Sequence, residues 1–193
     1  MKKVVASDFD GTLTNKDTLL EFIRFAKGNV RCYIGFLLFS PLIVLMFLKL
    51  YPNYKSKQKL FSYFFKGMSI EEFNRLGREF ASSSKHLLRE GGQEMIRKCK
   101  EEGTEVVVVS ASIDNWVQPF FPDMKVIGTQ IEVEDGRLTG RFLSKNCYGQ
   151  EKVNRLLALF PDRENYYLIA YGDSNGDRKL LDFADESYYK PFR

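Results

Sequence analysis

Histidine is nearly absent from this chain, with His86 the only one in 193 residues. That excludes a histidine metal centre or a histidine proton relay, and His86 reads as a solvated helix residue. Cysteine is scarce as well. Cys32, Cys99 and Cys147 have no metal-type spacing and no even count, which excludes a disulfide framework and fits buried thiols in a reducing, cytoplasmic setting. No repeat or low-complexity tract interrupts the chain, so a solenoid is excluded. The basic start Met1-Lys2-Lys3 is followed by only a short apolar stretch before Asp8 and Asp10, and no cleaved signal peptide is expected.

What is present is ordinary globular material, 44% hydrophobic and 28% charged, long enough for one α/β core with an insertion. Aromatic residues reach 15%, mostly Phe. Many lie between residues 22 and 80, where together with Trp116 they are expected to form core. The net charge of +4 conceals an asymmetry: residues 16–66 hold nine Lys or Arg against Asp17 and Glu21, a block of +7 on a remainder of −3. A basic insertion on an acidic body points to an anionic substrate or partner on its side; no nucleic-acid partner is expected.

The apolar run Val4 to Ala6 reads as a first strand. Thr18 to Ala26 has helical spacing, the run Cys32 to Leu48 is apolar throughout, and Ser69 with Glu72 forms a capping-box pattern ahead of Ile70, Phe73, Leu76 and Phe80. Residues 15–87 are therefore expected to be an all-helical insertion. From Gly91 onward the pattern alternates: a helix over Met95 to Lys100, a buried strand over Val106 to Val109, a helix from Ile113 to Phe121 stopped by Pro122, and a hairpin of Thr129 to Val133 and Arg137 to Phe142. A helix over Val153 to Phe160, a strand over Tyr166 to Tyr171 and a helix including Leu180 to Ala184 complete it. The expected fold is α/β, a Rossmann-like parallel sheet with helices on both faces, binding ligands at the carboxyl ends of its strands. Residues 1–14 and 88–193 would form the core.

Four elements would meet at that edge. Asp8-Phe9-Asp10-Gly11-Thr12-Leu13-Thr14 follows the first strand, Ser110 ends the strand Val106 to Val109, Lys152 opens a helix, and Gly172-Asp173-Ser174-Asn175-Gly176-Asp177 follows the strand ending at Tyr171. Asp-x-Asp alone is a weak signal, but four such elements in order are specific. In this order they resemble the motifs of the haloacid dehalogenase superfamily, and the helical insertion resembles the small cap of its phosphoserine phosphatase branch. Within that branch, the Pro-containing apolar run, the segment from Cys147 to Val153 and Asp173-Ser174-Asn175 are most similar to the phosphatidylglycerophosphatase C group.

The resemblance implies a Mg²⁺-dependent phosphatase. Asp8 would be the nucleophile that forms an aspartyl-phosphate, and Asp10 the acid and base for the alcohol leaving group and the water. It also implies that Asp8, Asp173 and the Asp10 backbone carbonyl hold Mg²⁺, and that Lys152 neutralises charge. Gly11, Thr12, Ser110, Ala111 and Lys152 would bind the phosphate. Asp177 would orient Lys152 or a metal-bound water. Asp17 stands where that branch places a substrate-contacting Glu, and Asn175 lies one place earlier than that branch's Asn. The substrate would be a phospholipid headgroup or a small phosphorylated metabolite; the competing class is a phosphate-binding scaffold without turnover.

The run Cys32 to Leu48, seventeen uncharged residues, would reach about 26 Å as one helix against a hydrocarbon core of about 30 Å, and Pro41 would kink it. It is expected to be a kinked helix pair packed on the protein, on the inner face of a membrane, or on a second subunit.

Overall fold

The computed structural model describes residues 2–48 and 50–193, and its central strand is the chain's first apolar run. In strand β1 (Lys2–Ser7), Val4 through Ser7 are all buried, a continuous rather than alternating pattern, as a parallel strand covered on both faces requires. A tight turn over Phe9–Leu13 leads, among the described residues, into five helices: α1 (Thr18–Lys27), α2 (Asn29–Leu38), α3 (Ser40–Phe47), α4 (Asn53–Phe65) and α5 (Ile70–Ser83). Asp17 caps α1 by accepting from the Leu19 amide at 2.9 Å, and Ser69 caps α5 by accepting from the Glu72 amide at 3.2 Å.

Helix α6 (Glu90–Glu101) returns the chain to the sheet, followed by β2 (Glu105–Ile113), α7 (Asp114–Val117) and β3 (Lys125–Thr129). The hairpin β4 (Ile131–Glu134) and β5 (Arg137–Phe142) turns on Asp135 and Gly136, both at positive φ (49° and 73°), as a two-residue turn of matching twist demands. Helix α8 (Gln150–Leu159), β6 (Tyr166–Gly172), α9 (Arg178–Phe183) and β7 (Glu186–Tyr189) complete the chain. The main sheet is wholly parallel in the order β3-β2-β1-β6-β7. The chain moves outward from β1 to β3 on one side and resumes on the other at β6. The crevice beyond the carboxyl ends of β1, β2 and β6 lies where that order reverses.

Two local expectations are corrected, and a third, the kinked helix pair, holds with its break two residues ahead of Pro41. Ile113 ends β2 rather than starting a helix, and the helix expected over 113–121 is a single turn, α7, passing into a tighter turn at Gln118–Phe120 because Pro119 supplies no amide donor. Thr129 belongs to β3, so the hairpin starts later than the pattern implied. Along the apolar run, the chain breaks at Phe39 and Pro41 sits in the first turn of α3, where its missing amide costs nothing; α2 and α3 meet at 60°. Among the described residues no single helix is long and apolar enough to cross a membrane, though α2 and α3 meet that composition together as a bent pair.

Alternation on the strands divides the core. Val5, Val106 and Val108 face one cluster; Val4, Ala6, Val107 and Val109 face the other, against α8 and α9. The first cluster continues into the helical segment around Phe22, whose ring lies 4.8 Å from Trp116, 5.4 Å from Phe73 and Phe80, and 5.6 Å from Phe65. One fully buried ring thus joins α1, α4, α5 and α7. Phe22→Ala is expected to cost about 3–5 kcal/mol. Urea unfolding reads the loss directly, and a change below about 1 kcal/mol would show that the insert does not depend on this ring.

Candidate active site

Asp8 follows β1 directly and is buried, its amide donating to Tyr171 O at 2.9 Å. The turn beyond it needs glycine for two reasons: Gly11 sits at φ 82°, and a Cβ there would lie 2.5 Å from Asp173 Oδ2. That close approach brings Thr12 beside both carboxylates. Its hydroxyl lies 3.2 Å from Asp8 Oδ2 and 3.5 Å from Asp173 Oδ1.

Lys152 comes from the first turn of α8 and is almost completely buried. Its Nζ donates to Asp8 Oδ1 at 2.5 Å, Asp177 Oδ1 at 2.6 Å and Val109 O at 2.7 Å. The loop ahead of α8 is tied to the loop after β6 by the Gly149 amide, which donates to Gly176 O at 2.9 Å. Asp177 uses its other oxygen on the second loop, accepting from Asp173 N, Ser174 N and Ser174 Oγ at 3.1, 2.9 and 2.7 Å. Both Asp177 oxygens are therefore engaged in holding Lys152 and the loop.

Burial pushes the Asp8 carboxyl up to about 7 against the pull of the Lys152 ammonium, with Asp177 and Asp10 adding to the rise. For Lys152, burial works toward neutrality but Asp8 and Asp177 outweigh it, and its pKa rises above the usual value. Asp177 goes the other way. Burial would raise it, yet the charge and hydrogen bond of Lys152, with Ser174, hold it below the ordinary carboxylate range.

Asp10 points elsewhere. Its Oδ1 accepts from the Thr18 amide at 2.7 Å and the Thr18 hydroxyl at 2.6 Å, and its Oδ2 accepts from the Ser112 hydroxyl at 2.5 Å. Burial, then the Asp17 carboxylate, raises its pKa, while the Ser112 and Thr18 bonds act against the rise. Two carboxylates two residues apart thus occupy different settings, one beside an ammonium and one among hydroxyls. The first can attack an electrophile and the second can carry a proton.

One oxygen each of Asp8, Asp173 and Asp177 lies within 4.8 Å of the others. With both Asp177 oxygens engaged by Lys152 and its own loop, the oxygens that suit a hard divalent cation are Asp8 Oδ2 and Asp173 Oδ1, which among the described residues meet only the Thr12 hydroxyl. Burial and then Asp177 raise the Asp173 pKa, and the guanidinium of Arg193, bonded to Asp173 Oδ2, opposes the rise.

The remaining expected residues divide. Gly11, Asp17 and Ala111 line the cavity over Asp8, although the Asp17 side chain caps α1. Ser110 is buried and its hydroxyl accepts from the Ser112 amide at 3.0 Å. Asn175 is exposed and does not line the cavity. Thr18, Ser112 and Arg193 were not foreseen. Ser112 carried a signal, since it stands two residues past Ser110 on the same strand; Thr18 and Arg193 carried none.

The cavity holds about 570 Å³. Its lining joins Asp8, Asp10, Lys152 and Asp173 to the apolar side chains of Phe36, Phe39, Ile43 and Met46, with Lys16, Asp17, Lys57 and Arg89 also on it.

Comparison with known proteins identifies the family of the chain as a whole. The sequence profile of haloacid dehalogenase-like hydrolases matches residues 5–182. The chain is 36% identical over 197 residues to Protein CicA of Caulobacter vibrioides, covering 98% of this chain and 86% of that one. It is 29% identical over 125 residues to a phosphoserine phosphatase of Archaeoglobus fulgidus, covering 62% of this chain and 34% of that enzyme. Among solved structures, a Bordetella pertussis protein of unknown function aligns with TM-score 0.82 at 18% identity, over 97% of this chain and 89% of that one. A phosphoserine phosphatase bearing a phospho-aspartyl intermediate analogue aligns with TM-score 0.62 at 23% identity, over 96% and 85% of the two chains. These structural likenesses establish a shared fold, and the profile match establishes descent: the chain belongs to the haloacid dehalogenase-like hydrolase family.

Proposed function

We propose that the protein hydrolyses a phosphate monoester through an aspartyl-phosphate formed on Asp8. The observation that carries this reading is the separation of Asp8 and Asp10 into unlike settings at one strand end, one paired with Lys152 and one held by Thr18 and Ser112. Such a pair divides a very slow hydrolysis into two easier steps.

An Asp8 oxygen attacks phosphorus, the bond from phosphorus to the ester oxygen breaks, and Asp10 gives its proton to the departing alkoxide. Asp10, now a carboxylate, takes a proton from water as that oxygen attacks the aspartyl-phosphate. The bond from phosphorus to the Asp8 oxygen breaks, the Asp8 carboxylate is regenerated and inorganic phosphate leaves. Thr12, Ser110 and the Ala111 amide would hold phosphoryl oxygens, and Lys152 balances the charge on Asp8. Mg²⁺ held by Asp8, Asp173 and the Asp10 carbonyl would reduce the repulsion between a carboxylate nucleophile and a phosphate dianion.

The cavity wall bears on the substrate. Phe36, Phe39, Ile43 and Met46 offer nothing to the ammonium or carboxylate of a free phosphoamino acid, whereas a hydrocarbon chain would fill the space they enclose. A lipid-borne phosphomonoester suits this wall, with Lys16, Asp17, Lys57 and Arg89 on the same lining left to meet a polar headgroup.

With a generic aryl phosphate and Mg²⁺, Asp8→Asn is expected to reduce phosphate release to background, and Asp10→Asn to lower kcat about 10²–10⁴-fold. Unchanged turnover in Asp8→Asn would remove the mechanism. In a calorimetric scan Mg²⁺ should raise the Tm of the wild type but not of Asp173→Asn. Because Arg193 occupies Asp173 Oδ2, Arg193→Ala should reach the same Tm shift at a several-fold lower Mg²⁺ concentration. Equal Mg²⁺ dependence in the two proteins would show that the guanidinium does not compete.

A further inference from the structure

Helices α2 and α3 have two faces with different surroundings. Inward, Phe39, Ile43 and Met46 wall the cavity, and Gly35 lets the Phe64 ring press on α2 where a Cβ would lie 2.2 Å from its Cζ. Outward, Val30, Leu37, Leu38, Val44 and Leu48 are each more than half exposed, Leu37 to 75%. Helix α3 has six large apolar side chains in eight residues and buries none of them. Phe47 joins the two faces: it lines the cavity and is 76% exposed. A contiguous apolar surface of this kind marks a binding site.

Charge narrows what covers it. From Phe22 to Ile70 the chain has no Asp or Glu, while eight Lys or Arg fall in that interval. Lys27 and Arg31 border Ile34 and Tyr63 in a shallow cleft at the edge of the apolar face. A second copy of the chain would bring one basic rim against another, whereas an anionic lipid surface meets it with opposite charge. Exposed Tyr33, Tyr54 and Tyr63 lie on the same helices and on α4, and an apolar ring with a wet hydroxyl suits the depth of lipid headgroups.

Length narrows the geometry. Helices of ten and eight residues reach about 15 and about 12 Å, well short of a hydrocarbon core of about 30 Å. Bent at 60°, the pair can lie in the interface plane with its apolar faces in the acyl boundary.

We propose that the outer face of α2 and α3 docks on an anionic lipid bilayer, seating the cavity mouth at Phe47 among the headgroups. The contact uses none of the reacting groups, so it is measured separately from the chemistry at Asp8.

The test is flotation of the full chain with vesicles of phosphatidylcholine alone or of phosphatidylcholine mixed with phosphatidylglycerol, alongside turnover of a soluble aryl phosphate. The wild type should float with the anionic vesicles at low salt and less so at high salt. Leu37→Glu/Leu48→Glu should lower the bound fraction at least about tenfold. Arg31→Gln should weaken binding about fivefold. Aryl phosphate turnover should stay unchanged in all of these variants, while Asp8→Asn should lose turnover and still float. The proposal is overturned if the wild type stays at the bottom of the gradient with anionic vesicles, or if Leu37→Glu/Leu48→Glu floats as well as the wild type. It is equally overturned if sedimentation finds a wild-type dimer that Leu37→Glu/Leu48→Glu dissociates while vesicle binding is absent, which would make the face a contact between copies.

Discussion

Lys152 places one positive charge between the ends of β1 and β6 and the middle of β2, and the local architecture is organised around its three bonds. Through Asp8 it holds the end of β1, through the Val109 carbonyl it holds β2, and through Asp177 it holds the loop after β6. An ammonium this deeply buried is tolerable only with its charge and its donors answered, and removing one member of such a group costs about 3–5 kcal/mol. The interaction therefore fixes more than electrostatics. Because Asp177 also binds the Asp173 and Ser174 amides, the position of Asp173 is set from Lys152 through one intermediate residue.

A second chain of bonds runs from the proton-carrying end of the site into the hydrophobic interior. The Trp116 indole donates to the Thr18 hydroxyl at 3.2 Å, and that hydroxyl donates to Asp10. Trp116 in turn stacks on Phe22. The acid of the proposed mechanism is thus oriented by the first residue of α1, whose own place is set by aromatic packing. Thr18 links the helical insert to the sheet edge.

How far the sequence could be read depended on whether a residue's role was local. Asp8, Asp10, Lys152 and Asp173 were legible because each follows or opens an element whose hydrophobic pattern is plain, and a parallel sheet sends such positions to one edge. The central strands β1, β2 and β6 were legible for the same reason. β7, with Glu186-Ser187-Tyr188-Tyr189, is a short and largely exposed edge strand without a buried face to pattern it. β3 carries Gly128, which lies against the Asp114 backbone at a spacing that leaves no room for a side chain, and it blended into the following hairpin. Helix α4 opens with Lys-rich sequence and no side-chain cap. Arg193 and Thr18 act through contacts that exist only after folding, between residues 20 and 8 positions apart.

Trp116 is the chain's only tryptophan. Because its indole N–H ends in a hydroxyl shared with Asp10, the tryptophan emission of the protein originates within two hydrogen bonds of the group that handles protons. The molecule thereby carries a native optical reporter, in which a spectral shift registers a rearrangement between α1 and α7 without any added label.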